Sequence, residues 1–203
     1  NLKITKEDGI FKLISHCRTN VSSEILPKPF LLLAGISGTG KTRFVREQAL
    51  AHNDGGINFC QIPVRPDWHE PSDLLGYVSR INGTHYIATK PLKFMIDAWR
   101  AVAPNANKDG MGELDLTVAP YWLCLDEMNL APVEQYFADY LSVLESRKFQ
   151  SDVYTCEALL SQSIFEMDID DLRKDLGITT DEDGLWEYFS NHGIALPPNL
   201  IVA

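Results

Sequence analysis

An apolar run that leads into a glycine-rich turn constrains this chain more than any other feature. Residues 30–34 read Phe-Leu-Leu-Leu-Ala, and residues 35–42 follow the pattern Gly-x-x-x-x-Gly-Lys-Thr. Such a run is typical of a strand buried on both faces of a parallel sheet. Glycines let the backbone curve around an anion, and the next helix presents its positive N-terminal end to it. The pattern predicts a phosphate-binding loop; the alternative is a glycine-rich turn with no ligand.

Each position of this loop has an expected role. Lys41 is expected to reach the β- and γ-phosphates of a nucleotide, and the Thr42 hydroxyl to ligate Mg²⁺. The backbone N–H groups of the turn are expected to surround the phosphates. The candidate nucleotide-binding residues are Gly35, Ile36, Ser37, Gly38, Thr39, Gly40, Lys41, Thr42 and Arg43.

A second motif lies at the end of another apolar run. Residues 121–127 read Tyr-Trp-Leu-Cys-Leu-Asp-Glu, so a buried strand is expected to end in two adjacent carboxylates. At the end of a parallel strand, Asp126 would lie beside the glycine-rich turn and hold Mg²⁺ directly or through its waters. Glu127 is the candidate general base for the attacking water, and Lys41 is the other candidate catalytic residue. The alternative is a strand that ends at a solvated acidic turn.

Length and charge limit the class of protein. The chain has 203 residues, of which 45% are apolar and 23% charged, as in a soluble globular protein with one sizeable core. Its net charge of −10 argues against a broad electrostatic grip on nucleic acid, although a local basic groove or one built by several subunits stays open. An apolar run at the end of the chain predicts a fragment of a longer protein.

The cysteines and the hydropathy pattern bear on the compartment. The four cysteines are scattered without a C-x-x-C pair, so neither a zinc site nor a disulfide framework is expected. No signal peptide is visible, and no apolar run approaches the roughly 20 residues of a membrane helix. We therefore expect a cytoplasmic protein without a membrane segment.

Periodicity predicts the first half of the chain as follows. Apolar residues recur at helical spacing over 6–18, so residues 1–27 are expected to be an N-terminal helix and connector, followed by a core over 28–203. The core is expected to begin with a helix over 43–52 and a strand over 57–64 near a sheet edge. A short helical turn from Ser72 or Asp73 and a hairpin formed by 78–81 and 86–88 are expected next. A helix over 91–102 and a loop over 104–116 are expected to follow.

The second half is predicted in the same way. After the strand that ends at Asp126, a helix is expected to start near Pro132 with an apolar stripe and to end at Arg147 and Lys148. These two side chains are interpreted as a solvated helix cap, with a contact to a neighbouring subunit as the alternative. Helices are expected over 157–176 and 185–191, with Gly177 and Gly193 as stops, and a buried strand over 199–203.

Three stretches together resemble a known class of proteins. They are residues 28–42 with the glycine-rich loop, Val64-Arg-Pro-Asp-Trp68 with Asp73-Leu-Leu-Gly-Tyr77, and Cys124-Leu-Asp-Glu-Met-Asn-Leu-Ala131. The chain resembles AAA+ ATPases of the dynein-related branch, most of all the McrB-type NTPase subunits of modified-cytosine restriction systems. The resemblance covers roughly residues 25–148 and 196–203. It implies an α/β P-loop NTPase fold with three α/β/α layers and a mostly parallel sheet, cut off before the end of the sensor strand and the helical lid.

The resemblance also implies an activity and partners. It implies hydrolysis of ATP or GTP with Mg²⁺, a homo-oligomeric ring that is a hexamer in the family, DNA translocation, and a McrC-like nuclease subunit. The chain departs from the family pattern at Leu130, because McrB-type proteins often carry an arginine after the asparagine at that place. Two other functions stay open: a MoxR-like or midasin-like protein-remodelling ATPase, and a nucleotide-binding interaction module without hydrolysis.

Overall fold

The computed structural model describes residues 2–7, 10–15, 29–52, 56–81, 83–106, 111–150, 153–166, 169–180 and 183–203. The protein is α/β: its described strands form one three-stranded parallel sheet and four two-stranded antiparallel sheets. The strands are β1 Leu2–Glu7, β2 Ile10–Ser15, β3 Phe59–Pro63, β4 Gly76–Ser79, β5 His85–Ala88, β6 Tyr121–Asp126, β7 Lys148–Gln150, β8 Val153–Thr155, β9 Ala158–Leu160, β10 Ile194–Ala195 and β11 Leu200–Val202. The α-helices are α1 Lys41–His52, α2 Ser72–Leu75, α3 Lys90–Val102, α4 Val133–Tyr136, α5 Ala138–Ser146, α6 Ile169–Asp175 and α7 Asp183–His192.

The parallel sheet has the order β11-β6-β3, with β6 in the centre. In its register Pro63 lies opposite Asp126, and Val202 lies opposite Leu123. All residues of β6 before Asp126 are buried, which explains why this strand reads as a continuous apolar run. Pro63 ends the outer strand β3, where the missing N–H of proline disturbs the ladder least.

The apolar run before the glycine-rich turn forms less strand than predicted. Phe30 makes a single parallel bridge to Val202, and Leu31 N–H donates to the Val202 carbonyl at 2.8 Å. Residues 31–34 are not part of a strand, so the strand predicted over 30–34 is confirmed only at this bridge. The segment still runs parallel beside β11 and brings the turn to the carboxyl edge of the sheet.

Helices cover both faces of this sheet. Helix α1 packs on one face through Phe44, Val45 and Ala49, against alternate residues of β6 such as Trp122 and Cys124. Helices α3, α4 and α5 cover the other face, where Leu123 and Leu125 point. The alternation follows from the two-residue period of a strand, so each face of β6 enters a separate core.

A further core lies on the far side of α3. The side chains of Leu92, Ile96 and Trp99 pack there with the hairpin β4–β5 and with α6 and α7. The indole N–H of Trp99 donates to the Ala195 carbonyl at 2.8 Å, so this buried aromatic is also satisfied as a donor. Because α3 contacts both cores, it joins the parallel sheet to the second half of the chain.

Most of the predicted elements are confirmed. The structure contains helices α1, α2 and α3, the hairpin β4–β5 and the strands β3, β6 and β11 close to the predicted bounds. Gly177 and Gly193 follow α6 and α7 with positive φ values of 67° and 77°, as expected of helix stops. The described parts of the predicted loop, 104–106 and 111–116, contain neither helix nor strand.

The helix predicted over 6–18 is wrong. Residues 2–7 and 10–15 form the antiparallel pair β1–β2, in which Ile4 lies opposite Leu13; residues 16–18 lie outside the described part. The dipeptide Asp8-Gly9 lies between the two runs and is a frequent hairpin turn sequence. The pairing of two strands therefore replaces the helix that the spacing of the apolar residues predicted.

Two other helix predictions need correction. The helix expected over 157–176 is replaced by β9, a 3₁₀ helix over Gln162–Glu166 and α6. The helix expected from Pro132 is divided into α4 and α5 at Phe137, whose buried ring stacks on Tyr140 with 4.5 Å between ring centroids. Leu141 is 37% exposed, whereas Tyr140 and Leu144 of the same helix are buried, so the buried stripe of α5 does not include Leu141.

Arg147 is not the solvated helix cap that the sequence predicts. It is 7% exposed and donates through Nη2 to the Pro198 carbonyl at 2.7 Å. Its guanidinium also lies 5.6 Å from the ring centre of Phe149 and 5.5 Å from that of Tyr154. The C-terminus of α5 is directed at the turn before β11, so the side chain enters the protein there, whereas Lys148 stays exposed.

Among the helices of the described residues, none combines the length and the apolar character that crossing a membrane requires.

Candidate functional site

A cavity of about 630 Å³ opens at the carboxyl edge of the parallel sheet. Its walls come from the glycine-rich turn, the first residues of α1, the end of β6 and the segment that follows β6. Open α/β sheets characteristically bind ligands outside the carboxyl ends of their strands. The two motifs singled out in the sequence therefore line the same space.

The glycine-rich turn adopts a backbone that only glycine tolerates well. Gly38 and Gly40 have φ values of 82° and 87°, and a Cβ built on either would have no heavy atom within 4 Å. Glycine is thus required at these two positions by the backbone conformation rather than by crowding. Helix α1 starts immediately after Gly40 and directs its N-terminus at the cavity.

Lys41 lies across the mouth of this turn. Its Nζ donates to the carbonyls of Gly35 and Ile36, at 3.0 Å each, and Thr39 Oγ1 donates to the Ile36 carbonyl at 2.9 Å. The turn is therefore closed around an ammonium group that belongs to the chain itself. A positive charge held there, next to a helix N-terminus, creates a favourable position for an anion.

Thr42 and Asp126 bring the two motifs into direct contact. The Thr42 hydroxyl donates to Asp126 Oδ1 at 3.1 Å, across 84 positions of sequence. Neighbouring ligands of an octahedral Mg²⁺ with bonds of about 2.0–2.1 Å are about 2.9 Å apart. The spacing of these two oxygens fits one shared magnesium ion, and the donor set of a hydroxyl and a carboxylate suits a hard cation.

Glu127 has an unusual backbone. Its φ of 56° and ψ of 45° lie in the left-handed region, and it is the one non-glycine residue with positive φ in the described part of the chain. This conformation costs a side-chain-bearing residue about 1–2 kcal/mol. Its carbonyl accepts from Leu130 N–H at 2.9 Å, which closes the 3₁₀ turn Met128–Leu130. Glu127 is exposed and lines the cavity. Strain of this kind is concentrated at functional sites.

The structure also adds residues that sequence reasoning missed. Gln61 on β3 donates through Nε2 to Asp126 Oδ2 at 2.7 Å, and Arg46 Nη2 donates to Gln61 Oε1 at 3.1 Å. A lone glutamine in an apolar strand was the only sequence feature that marked this position. Its role depends on the β3–β6 register, which the sequence does not specify.

Not every predicted residue is brought to the cavity. Gly35, Ser37, Lys41, Thr42, Asp126 and Glu127 line it. Arg43 is directed elsewhere: its Nε pairs with Glu47 Oε1 at 2.8 Å on the exposed side of α1. Ile36 is 80% exposed on the outside of the turn.

The cysteine behind the site is not a candidate nucleophile. Burial, and to a smaller extent the charge of Asp126, raises the pKa of the Cys124 thiol to about 12. The thiolate that nucleophilic chemistry requires is therefore scarce at neutral pH.

A scan against models of protein families finds no family that matches this chain, and a search of curated proteins finds no match either.

Proposed function

We propose that this chain is the core of a Mg²⁺-dependent P-loop NTPase of the AAA+ class, which binds and hydrolyses ATP or GTP. The observation that carries the proposal is the 3.1 Å contact between Thr42 and Asp126 beside the Lys41 ammonium. It joins a phosphate-binding motif to a metal-binding motif in one cavity, as nucleotide hydrolysis requires.

Each of the proposed residues has a separate task. Lys41 and the N–H groups of the turn bind the phosphates, and Thr42 and Asp126 hold Mg²⁺. The magnesium ion supplies charge neutralisation of the phosphate oxygens. Glu127, an exposed residue in the lining of the cavity, accepts a proton from the water that attacks the γ-phosphate.

The AAA+ assignment and the partners are the finer part of the proposal. The parallel run of residues 29–31, β11, β6 and β3, covered by helices on both faces, supports a three-layer P-loop fold. With the McrB-like motifs, it leads us to propose a cytoplasmic, ring-forming motor that drives DNA translocation for a McrC-like nuclease. A protein-remodelling ATPase is the second candidate, because the net charge of −10 favours a protein substrate over DNA. Stimulation of turnover by DNA would favour the motor over the remodelling enzyme.

Nucleotide binding is the first test. Fluorescent ATP and GTP analogues are titrated with Mg²⁺ into the full chain, into Lys41→Ala and into Lys148→Ala, which removes an exposed lysine away from the cavity. We expect binding by the wild type and Lys148→Ala and a loss of at least about tenfold in affinity for Lys41→Ala, because a charge-assisted contact is lost. Equal binding by the wild type and Lys41→Ala, or no binding by the wild type, would overturn the proposal.

Hydrolysis is tested separately. Glu127→Gln keeps the size of the side chain but removes the base, so we expect nucleotide affinity to be retained and turnover to fall by about 100-fold or more. Single-turnover measurements with excess protein detect slow hydrolysis. Wild-type turnover in Glu127→Gln would show that the general base is another group. Binding without turnover by the wild type would favour the interaction module.

A further inference from the structure

We propose that Arg46 and Gln61 act as a positioning pair that orients Asp126 for Mg²⁺. The inference rests on the proposed function, because it assigns two further residues to the same metal site. Neither residue belongs to the glycine-rich turn or to the Asp-Glu motif; they reach the site from α1 and from β3.

The pair forms a continuous chain of hydrogen bonds that ends on the proposed metal ligand. Arg46 Nη2 donates to Gln61 Oε1 at 3.1 Å, and Gln61 Nε2 donates to Asp126 Oδ2 at 2.7 Å. The other carboxylate oxygen, Oδ1, accepts from Thr42 at 3.1 Å. Each oxygen of Asp126 therefore has its own donor, and the rotation of the carboxylate is held from both sides.

Arg46 determines which way the Gln61 amide is turned. A guanidinium only donates hydrogen bonds and a carboxylate only accepts them, whereas the glutamine amide has one end of each kind. Only one orientation places Oε1 toward Arg46 and the NH₂ group toward Asp126. The opposite orientation would set a carbonyl oxygen against the carboxylate and an NH₂ group against a guanidinium.

Arg46 is itself held in place by β3. Its guanidinium carbon lies 5.2 Å from the ring centre of Phe59, two residues before Gln61 on the same strand. Residues two apart on a strand share a face, so the ring and the amide form one surface for the arginine. The preference of a guanidinium for an aromatic face adds to the hydrogen bond.

A purely structural contact between α1 and β3 would use the same atoms but would have a different consequence. Its loss would lower stability and leave the dependence on Mg²⁺ unchanged. A positioning role predicts instead that the Mg²⁺ dependence of nucleotide binding changes, whereas nucleotide binding without metal stays the same. Partners that hold a metal ligand from behind typically contribute about 10–100-fold to metal affinity.

The test measures how the affinity for the fluorescent nucleotide analogue rises with the Mg²⁺ concentration. The quantity compared is the Mg²⁺ concentration at which half of this rise is reached. The full chain is compared with Gln61→Leu, Arg46→Met and the double variant, in Mg²⁺ and in EDTA. Gln135→Leu and Arg80→Met, at exposed positions away from the cavity, are matched controls. Thermal unfolding of each variant is recorded without nucleotide.

We expect Gln61→Leu to need about tenfold more Mg²⁺ than the wild type, with affinity in EDTA unchanged. Arg46→Met should need about threefold more, because it releases the amide without removing the donor to Asp126. The double variant should match Gln61→Leu alone, since both residues act through one hydrogen bond.

Unchanged Mg²⁺ dependence in both single variants, with normal wild-type binding, would overturn the positioning pair and leave the proposed function intact. Absence of Mg²⁺-dependent binding in the wild type would overturn both. If Gln61→Leu does not fold, Arg46→Met decides alone, because the exposed position of Arg46 on α1 tolerates the change. An Arg46→Met variant that needs no more Mg²⁺ than the wild type would then refute the inference.

Discussion

Replacing the buried Arg147 by methionine provides the sharpest test of the tertiary structure. Arg147 is 7% exposed, and its Nη2 donates to the Pro198 carbonyl at 2.7 Å. Methionine keeps most of the aliphatic stem but removes the guanidinium. The carbonyl before β11 then loses its donor inside the protein, which is more costly than removing both partners.

The expected magnitude follows from the contacts. A hydrogen bond from a charged donor contributes about 1.5–3 kcal/mol. The two aromatic faces at 5.5 and 5.6 Å add to this, each by about 0.5–1 kcal/mol. The cost of burying a charge offsets part of the sum. We expect Arg147→Met to lower the free energy of unfolding by about 2 kcal/mol.

Urea unfolding measures this change directly. With a slope near 2 kcal/mol per molar urea, the midpoint should fall by about 1 M while the slope stays constant. Lys148→Met is the matched control, because the same substitution at the exposed neighbour should change stability by less than about 0.5 kcal/mol. Equal midpoints for Arg147→Met and the wild type would refute the reasoning and restore the solvated cap.

Three further outcomes are expected. Gly76→Ala should destabilise the hairpin β4–β5 far more than Gly83→Ala. Both glycines have a φ of 125°, but a Cβ on Gly76 would lie 2.3 Å from the Ile87 carbonyl oxygen, whereas one on Gly83 would meet nothing within 4 Å. Urea unfolding should therefore show a loss of stability of roughly 3 kcal/mol or more for Gly76→Ala and of about 1–2 kcal/mol for Gly83→Ala. Because burial raises the pKa of Cys124 from 9.0 to about 12, the unfolded chain releases this proton first as the pH rises, and the free energy of unfolding should fall between pH 9 and pH 12, by up to about 1.4 kcal/mol per unit from this thiol. Burial also raises the pKa of Cys60 and of Tyr140, so Cys124→Ala should reduce that slope in urea titrations without abolishing it. Glu127→Gly should be more stable than Glu127→Ala by about 1 kcal/mol in thermal or urea unfolding, since glycine tolerates the left-handed backbone; equal stability would indicate that this residue carries no strain.

The local elements of the parallel core were predictable because short-range chemistry decides them. The inward face of α1, the apolar run of β6 and the glycine stops after α6 and α7 follow from periodicity and backbone preference. The N-terminal pair β1–β2 was not predicted, because the spacing of the apolar residues over 6–18 indicated a helix instead. This error did not affect the parallel sheet.

The candidate site was predictable in part for the same reason. The residue types needed near a phosphate and a metal are set by chemistry, so Lys41, Thr42 and Asp126 could be named before the fold was known. The outward direction of Arg43 could have been foreseen, because residues four apart lie on the same side of a helix and Arg43 pairs with Glu47.

The sequence by itself determined the glycine-rich turn, the helix that follows it and the carboxylates at the end of a buried strand, because each depends on residues close together in the chain. Only the tertiary structure decided the contacts between distant residues. The register of β3 against β6 placed Gln61 beside Asp126, and the direction of α5 turned Arg147 inward onto Pro198. Such contacts depend on how elements pack and on which buried polar groups remain to be satisfied, and neither is encoded within a single stretch of sequence.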